Sequence, residues 1–145
     1  MTSIFEFFRT GQLGHVGIRM SLADFESVVG KPQDVSVSKN PMIYKYGSFQ
    51  FSFTKTPKGD YQLSSIHLYF GDDLILPDRL VLSDWDPDRN HENLIEYFQQ
   101  SHVNLQIDQQ HSISNLQVGY RTQGGVILIF AVEGRKNNLV SIHKY

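Results

Sequence analysis

Apolar residues recur along this chain with two periods, and the changes of period mark its elements. Ile4, Phe5, Phe7 and Phe8 crowd one short stretch that Gly11 closes. Ser3-Ile4-Phe5-Glu6 has the spacing of a capping box, which predicts a helix over residues 4–10. Gly11, Gly14 and Gly17 then make a loop. Leu22, Phe25, Val28 and Val29 fall on one helical face between Ser21, a capping residue, and Gly30, a left-handed C-terminal residue. Pro32 forbids continuation, so the second helix spans residues 22–29.

From residue 42 the period drops to two. Residues 42–46 form one candidate strand, and Phe49, Phe51 and Phe53 line one face of the next. Pro57-Lys58-Gly59-Asp60 is turn chemistry, and residues 61–70 return as a longer strand. Residues 71–90, with six aspartates, Gly71, Pro77 and Pro87, read as a joint that also carries the apolar patch Leu74–Leu76 and Leu80–Leu82. A third helix begins near Pro87, shows Leu94, Ile95 and Phe98 on one side, and ends near Ser101. Four strands follow, over 103–107, 115–122, 126–132 and 139–145, with turns at Gln123-Gly124-Gly125 and over 133–138.

The two halves share a pattern. Ser65-Ile66-His67-Leu68-Tyr69 aligns with Ser141-Ile142-His143-Lys144-Tyr145 at an offset of 76 residues. Extended without gaps, the alignment adds Tyr44 on Tyr120 and Leu63 on Leu139, and sets Phe51 and Phe53 on Ile127 and Ile129. Helix, hairpin and return strand thus occur twice in order. The expected fold is α+β: two tandem helix-plus-antiparallel-sheet repeats sharing one sheet, with helices on one face. Repeat one covers about 1–70, a linker about 71–86, and repeat two about 87–145, all within a single domain. The hairpin around Val126–Phe130 is apolar on both faces, which calls for cover from the linker or from a partner.

Composition narrows the functions. The chain has 145 residues, 40% of them hydrophobic and 19% charged, and no cysteine. That excludes a disordered chain, thiol catalysis, disulfides and cysteine-based zinc sites. A net charge of −2 with scattered basic residues argues against a nucleic-acid surface. The start lacks the basic and apolar regions of an export signal, and the longest apolar run, Val126–Val132, is far too short for a membrane helix. The expectation is a soluble, cytoplasmic protein that engages neither membrane nor nucleic acid.

Gly17-Ile18-Arg19-Met20-Ser21, the helix after it, Gly30-Lys31-Pro32 and the Tyr-rich hairpin resemble a known repeat unit. It is the unit of small outer-membrane assembly lipoproteins of the SmpA/OmlA type and of the secreted beta-lactamase inhibitor protein. Here two residues separate Gly17 from Met20, where those families have a contiguous Gly-Met. With no lipobox cysteine, a lipoprotein role does not carry over. The resemblance implies a scaffold for gripping other proteins, like intracellular immunity proteins that neutralise bacterial toxins, and it transfers no catalytic residues.

Asp84-Trp85-Asp86-Pro87-Asp88 opens like a calcium loop, but Arg89 and Ile95 stand where that loop needs Gly and Glu. Asp86 capping a helix with Pro87 at its first position explains the same residues. The histidines at 15, 67, 91, 102, 111 and 143 lack the i, i+4 ligand pair, so no metal or cofactor is expected. No Gly-x-Ser-x-Gly turn exposes a nucleophile. Aromatic residues remain. Tyr offers rigid apolar area with a polar tip and is enriched at interface centres. Tyr44, Tyr46, His67, Tyr69, Trp85, Tyr120, His143 and Tyr145 are therefore the expected contact residues of a non-enzymatic module that occludes another protein, a toxin or an enzyme. The alternative is a small-ligand or enzymatic site built on His67, His143 and neighbouring Tyr hydroxyls.

Overall fold

A computed structural model of the chain describes residues 2–70, 74–85, 91–133 and 136–145. Helix α1 (Ile4–Thr10) starts where the Ser3 hydroxyl accepts the Glu6 amide, and it ends on Gly11 in the left-handed region at φ 76°. Only half of the expected capping box forms. The Glu6 carboxylate turns to Arg9, and Asp84 takes the first amides instead, at 2.7 Å from Ile4 N and 3.4 Å from Phe5 N. Helix α2 (Leu22–Val29) keeps its expected bounds, with Ser21 accepting the Asp24 amide, but Gly30 closes it at φ 90°, ψ −173°, a positive-φ extended conformation rather than the left-handed helical one.

The strands are β1 (Asp34–Val35), β2 (Met42–Tyr46), β3 (Phe49–Lys55), β4 (Tyr61–Tyr69), β5 (Leu105–Ile113), β6 (Gln117–Thr122), β7 (Val126–Glu133) and β8 (Lys136–Lys144), with α3 (His91–Gln100) between β4 and β5. They form one antiparallel sheet in the order β1-β2-β3-β4-β8-β7-β6-β5. β1 carries no alternation and is held by two register pairs to β2. β5 runs six residues past its expected end because its polar stretch, Asp108–Ser112, hides the period. β8 starts three residues early, within the expected turn. Asp86 and Pro87, the expected cap of α3, lie outside the described residues.

Ring contacts place α2 on the face of β2 and β3 that the phenylalanines line. Phe25 lies 4.8 Å from Phe51, 5.0 Å from Phe53 and 5.9 Å from Tyr46 between ring centroids. Burial of Phe25 alone contributes about 2–3 kcal/mol. Register corrects the expected face of β7. Phe51 pairs with Ile66, while Leu128, not Ile127, pairs with Ile142. Val126, Leu128 and Phe130 are the buried counterparts of Phe49, Phe51 and Phe53. The hairpins differ by one residue, and a slip of one exchanges faces. Both hairpins are interrupted at corresponding places, between Ser52 and Phe53 and between Ile129 and Phe130.

At the centre, β4 pairs with β8 in the register Ile66↔Lys144, His67↔His143, Leu68↔Ile142 and Tyr69↔Ser141. This ladder joins β1–β4 to β5–β8. The linker runs past the β2–β3 turn, where Ser48 N donates to Ile75 O at 2.7 Å. Helix α1 crosses to the other half. The Thr122 hydroxyl donates to Phe8 O at 2.5 Å, Gly124 N donates to the same oxygen, and a Cβ on Gly124 would stand 2.5 Å from Gly11 N. Among the described residues no helix is long and apolar enough to cross a membrane.

Candidate functional site

Alternation along β4 sets Ser65, His67 and Tyr69 on the face opposite Ile66 and Leu68, and β8 repeats this with Ser141, His143 and the following Tyr145. Because β4 and β8 pair at His67↔His143, the two triplets run antiparallel side by side. Tyr69 and Tyr145 are 42% and 57% exposed, whereas His143 is only 6% exposed.

The two imidazoles touch through their Nδ1 atoms at 2.6 Å. His67 Nε2 lies 2.9 Å from Ser65 Oγ, and His143 Nε2 lies 2.7 Å from Ser141 Oγ. Two neutral rings bond in this way only if one holds its proton on Nδ1 and the other on Nε2. The first ring then accepts a serine proton at Nε2, and the second donates its Nε2–H to the other serine. Either assignment satisfies all four groups, so Ser65–His67–His143–Ser141 is one hydrogen-bonded chain across the central ladder. Burial lowers the His67 pKa. Burial, then repulsion from His67 and His111, lowers that of His143 to about 4.

A third histidine arrives from β5. Asp108 is buried, and its carboxylate accepts from Gln110 N at 3.0 Å, His111 N at 3.3 Å, and Arg121 Nε and Nη2 at 3.1 and 2.8 Å. These bonds wind residues 108–113 into a wide bulge against β6. His111 thereby comes over Gly119, where a Cβ would stand 2.8 Å from the His111 Cβ. The His111 ring stacks with Tyr145 at 6.1 Å, and Tyr145 stacks with His143 at 6.2 Å. Ile127, between His143 and Arg121 in register, is buried at 1% exposure on this side of the sheet. Burial pushes the Asp108 carboxyl up, but hydrogen bonds and charge from His111 and Arg121 outweigh it and leave it below its ordinary value.

Four of the eight expected residues, His67, Tyr69, His143 and Tyr145, thus come together. Tyr44 and Tyr46 are instead core residues, because α2 gives their polar tips partners: Glu26 for Tyr44 and Gly30 O for Tyr46, each at 2.7 Å. Tyr120 sits on the opposite face against Phe130. Trp85 stacks on Phe70 at 5.3 Å. The serines were legible as a Ser-x-His pattern at strand period on both strands. His111, Asp108 and Arg121 were not, because a bulge brings them in.

Among the described residues, clefts also lie away from the histidines. One of about 560 Å³ is lined by residues including Val29, Lys31, Tyr46, Ile75 and Arg79. The other, of about 450 Å³, is lined by Ile95, Gln99, Val103, Asn104, Leu105 and Tyr120. Among the described residues no group of three or more His, Asp or Glu could hold a metal ion. No family model matches the chain, and neither a curated protein nor a solved structure matches it.

Proposed function

We propose that this protein is a non-enzymatic binding module, an inhibitor or immunity-type protein that works in the cytoplasm by covering another protein with the patch around His67 and His143. One observation carries the reading: Tyr69 and Tyr145 stand exposed on either side of the His67–His143 imidazole pair, half-buried at His67 and buried at His143, at the middle of the sheet. Stacking on His67 and His143 holds both rings, so they offer apolar area at small entropic cost. The scaffold is read as a tandem duplication, two helix-plus-sheet units sharing one sheet with helices on one face. Its support is the His67↔His143 pairing, which the 76-residue offset maps onto itself, together with the two matched bulges.

A small-ligand or enzymatic site on His67, His143 and the Tyr hydroxyls has the Ser–His–His–Ser chain in its favour, since it could relay a proton. The two clefts described above are lined by other residues, and a ligand site on the histidines needs a concavity of its own. The test is capture from native lysate by immobilised wild type and by the Tyr69→Ala/Tyr145→Ala double variant, with melting followed in parallel. The expected result is a protein retained in stoichiometric amount by wild type and lost by a variant that melts normally. Equal retention by both, or none by wild type, overturns the reading.

A further inference from the structure

The β4–β8 ladder is the place where the sheet joins its halves, and a pair of imidazoles in direct contact sits on it. Every ring nitrogen of that pair is engaged: the Nδ1 atoms with each other and the Nε2 atoms with Ser65 and Ser141. The neutral pair holds two ring protons and shares one of them at Nδ1. One added proton must go to the Nε2 that was accepting, which turns the serine hydroxyl away. A second leaves two N–H groups pointing at each other over 2.6 Å, and the contact must break.

We propose that the His67–His143 pair is an acid-sensitive latch, closing the ladder between the two halves when neutral and releasing it when protonated.

The surroundings give an added charge no relief. Tyr69 comes from β4, where burial pushes its hydroxyl pKa up, and Tyr145 follows β8. Opposite His67, β3 contributes Gln50, with Lys45 of β2 one strand beyond. Opposite His143, β7 contributes Ile127, with Arg121 of β6 beyond it. His111 from β5 adds repulsion when charged. The nearby carboxylate, Asp108, is already engaged by His111 and Arg121.

Direction follows from linkage. Burial and the neighbouring imidazoles hold the His143 pKa at about 4 in the closed state, against 6.5 when released. The released state therefore binds the proton first as pH falls. Closure is fully supported above about pH 6.5 and is lost progressively between there and about 4. For one such group, the opening constant at pH 5 rises by roughly 30-fold over its value above pH 7.

Two measurements on the full chain test this. Hydrogen exchange, corrected for the intrinsic pH effect, should show residues 66–69 and 141–144 losing protection between pH 7.5 and 5 by about the same roughly 30-fold factor. β3 and β7 should keep theirs. The variant His143→Asn, which keeps a polar group at the Nδ1 position and cannot titrate, should flatten that dependence. Ring nitrogen spectra of the wild type serve if the variant does not fold: one ring should be the Nδ1–H tautomer and the other Nε2–H at pH 7.5. Protection at the ladder independent of pH, or both rings titrating separately at ordinary values, overturns the proposal.

Discussion

Replacing Asp108 separates the two tasks of its carboxylate. The side chain is 5% exposed and holds the backbone amides of Gln110 and His111 as well as the Arg121 guanidinium. In Asp108→Ala the amides lose their acceptor inside the bulge, a loss of about 1–3 kcal/mol for a poorly solvated donor. Arg121 is 47% exposed and recovers water, so its share stays near the surface-pair scale of up to about 1 kcal/mol rather than that of a buried pair. The expected total is about 3 kcal/mol, read as a fall in the urea midpoint at pH 7 followed by circular dichroism. Asp108→Asn keeps an acceptor oxygen for the amides and should lose only about 1 kcal/mol. The wild-type pKa lies below its ordinary 3.8, so the unfolded chain takes up the proton first as pH falls. Asp108 therefore stabilises the fold above about pH 4, an increment lost on further acidification and missing from Asp108→Asn. An Asp108→Ala cost under 1 kcal/mol, or equal costs for the two variants, would refute the division of labour.

Two further substitutions test contacts between distant parts of the chain. Gly124→Ala would push a Cβ to 2.5–2.8 Å from backbone atoms of Gly11, Phe8 and Thr10, which cannot swing aside, and should cost about 2–3 kcal/mol in a thermal or urea melt. Gly59→Ala is its control: it meets nothing within 4 Å and pays only for φ +89°, about 1 kcal/mol. Asp84→Ala removes the acceptor for the first amides of α1 and should cost about 1 kcal/mol, with helix loss visible by circular dichroism. A melt unchanged from wild type would show that Ser3 caps α1 without it.

What was legible in the chain was what nearby residues decide. Ser21, Gly30 and Pro32 bound α2 through local hydrogen bonding and backbone geometry, so its limits could be read directly. The His67 and His143 strands were legible because alternation and the offset agree there. The gap-free offset puts Ile127 and Ile129 on the helix-covered face of β7, but the β7–β8 hairpin is one residue shorter than β3–β4, and that shift exchanges the faces. Tyr44 and Tyr46 are buried, which the strand pattern does not reveal. A Tyr in a strand looks alike whether its hydroxyl meets water or a partner, and here Glu26 and Gly30 are supplied by a helix 16 to 18 residues away. His111 joined the cluster through a bulge whose cause, the Asp108 carboxylate, leaves no periodic trace.

The crossing of α1 sets a timetable for the ribosome. Phe8 is made 114 residues before Thr122, the side chain that takes hold of its carbonyl. At about 5–20 residues per second, the wait is roughly 6 to 23 s. A seven-residue segment is too short to persist as a helix on its own, so it waits first for Asp84 to cap it and Phe98 to pack on Phe5 and Phe8, and last for Thr122. The β1–β4 meander can be complete long before, with its own helix in place. Maturation of this contact then ends on α1, when the later β6–β7 hairpin comes back to pack Phe8 against itself.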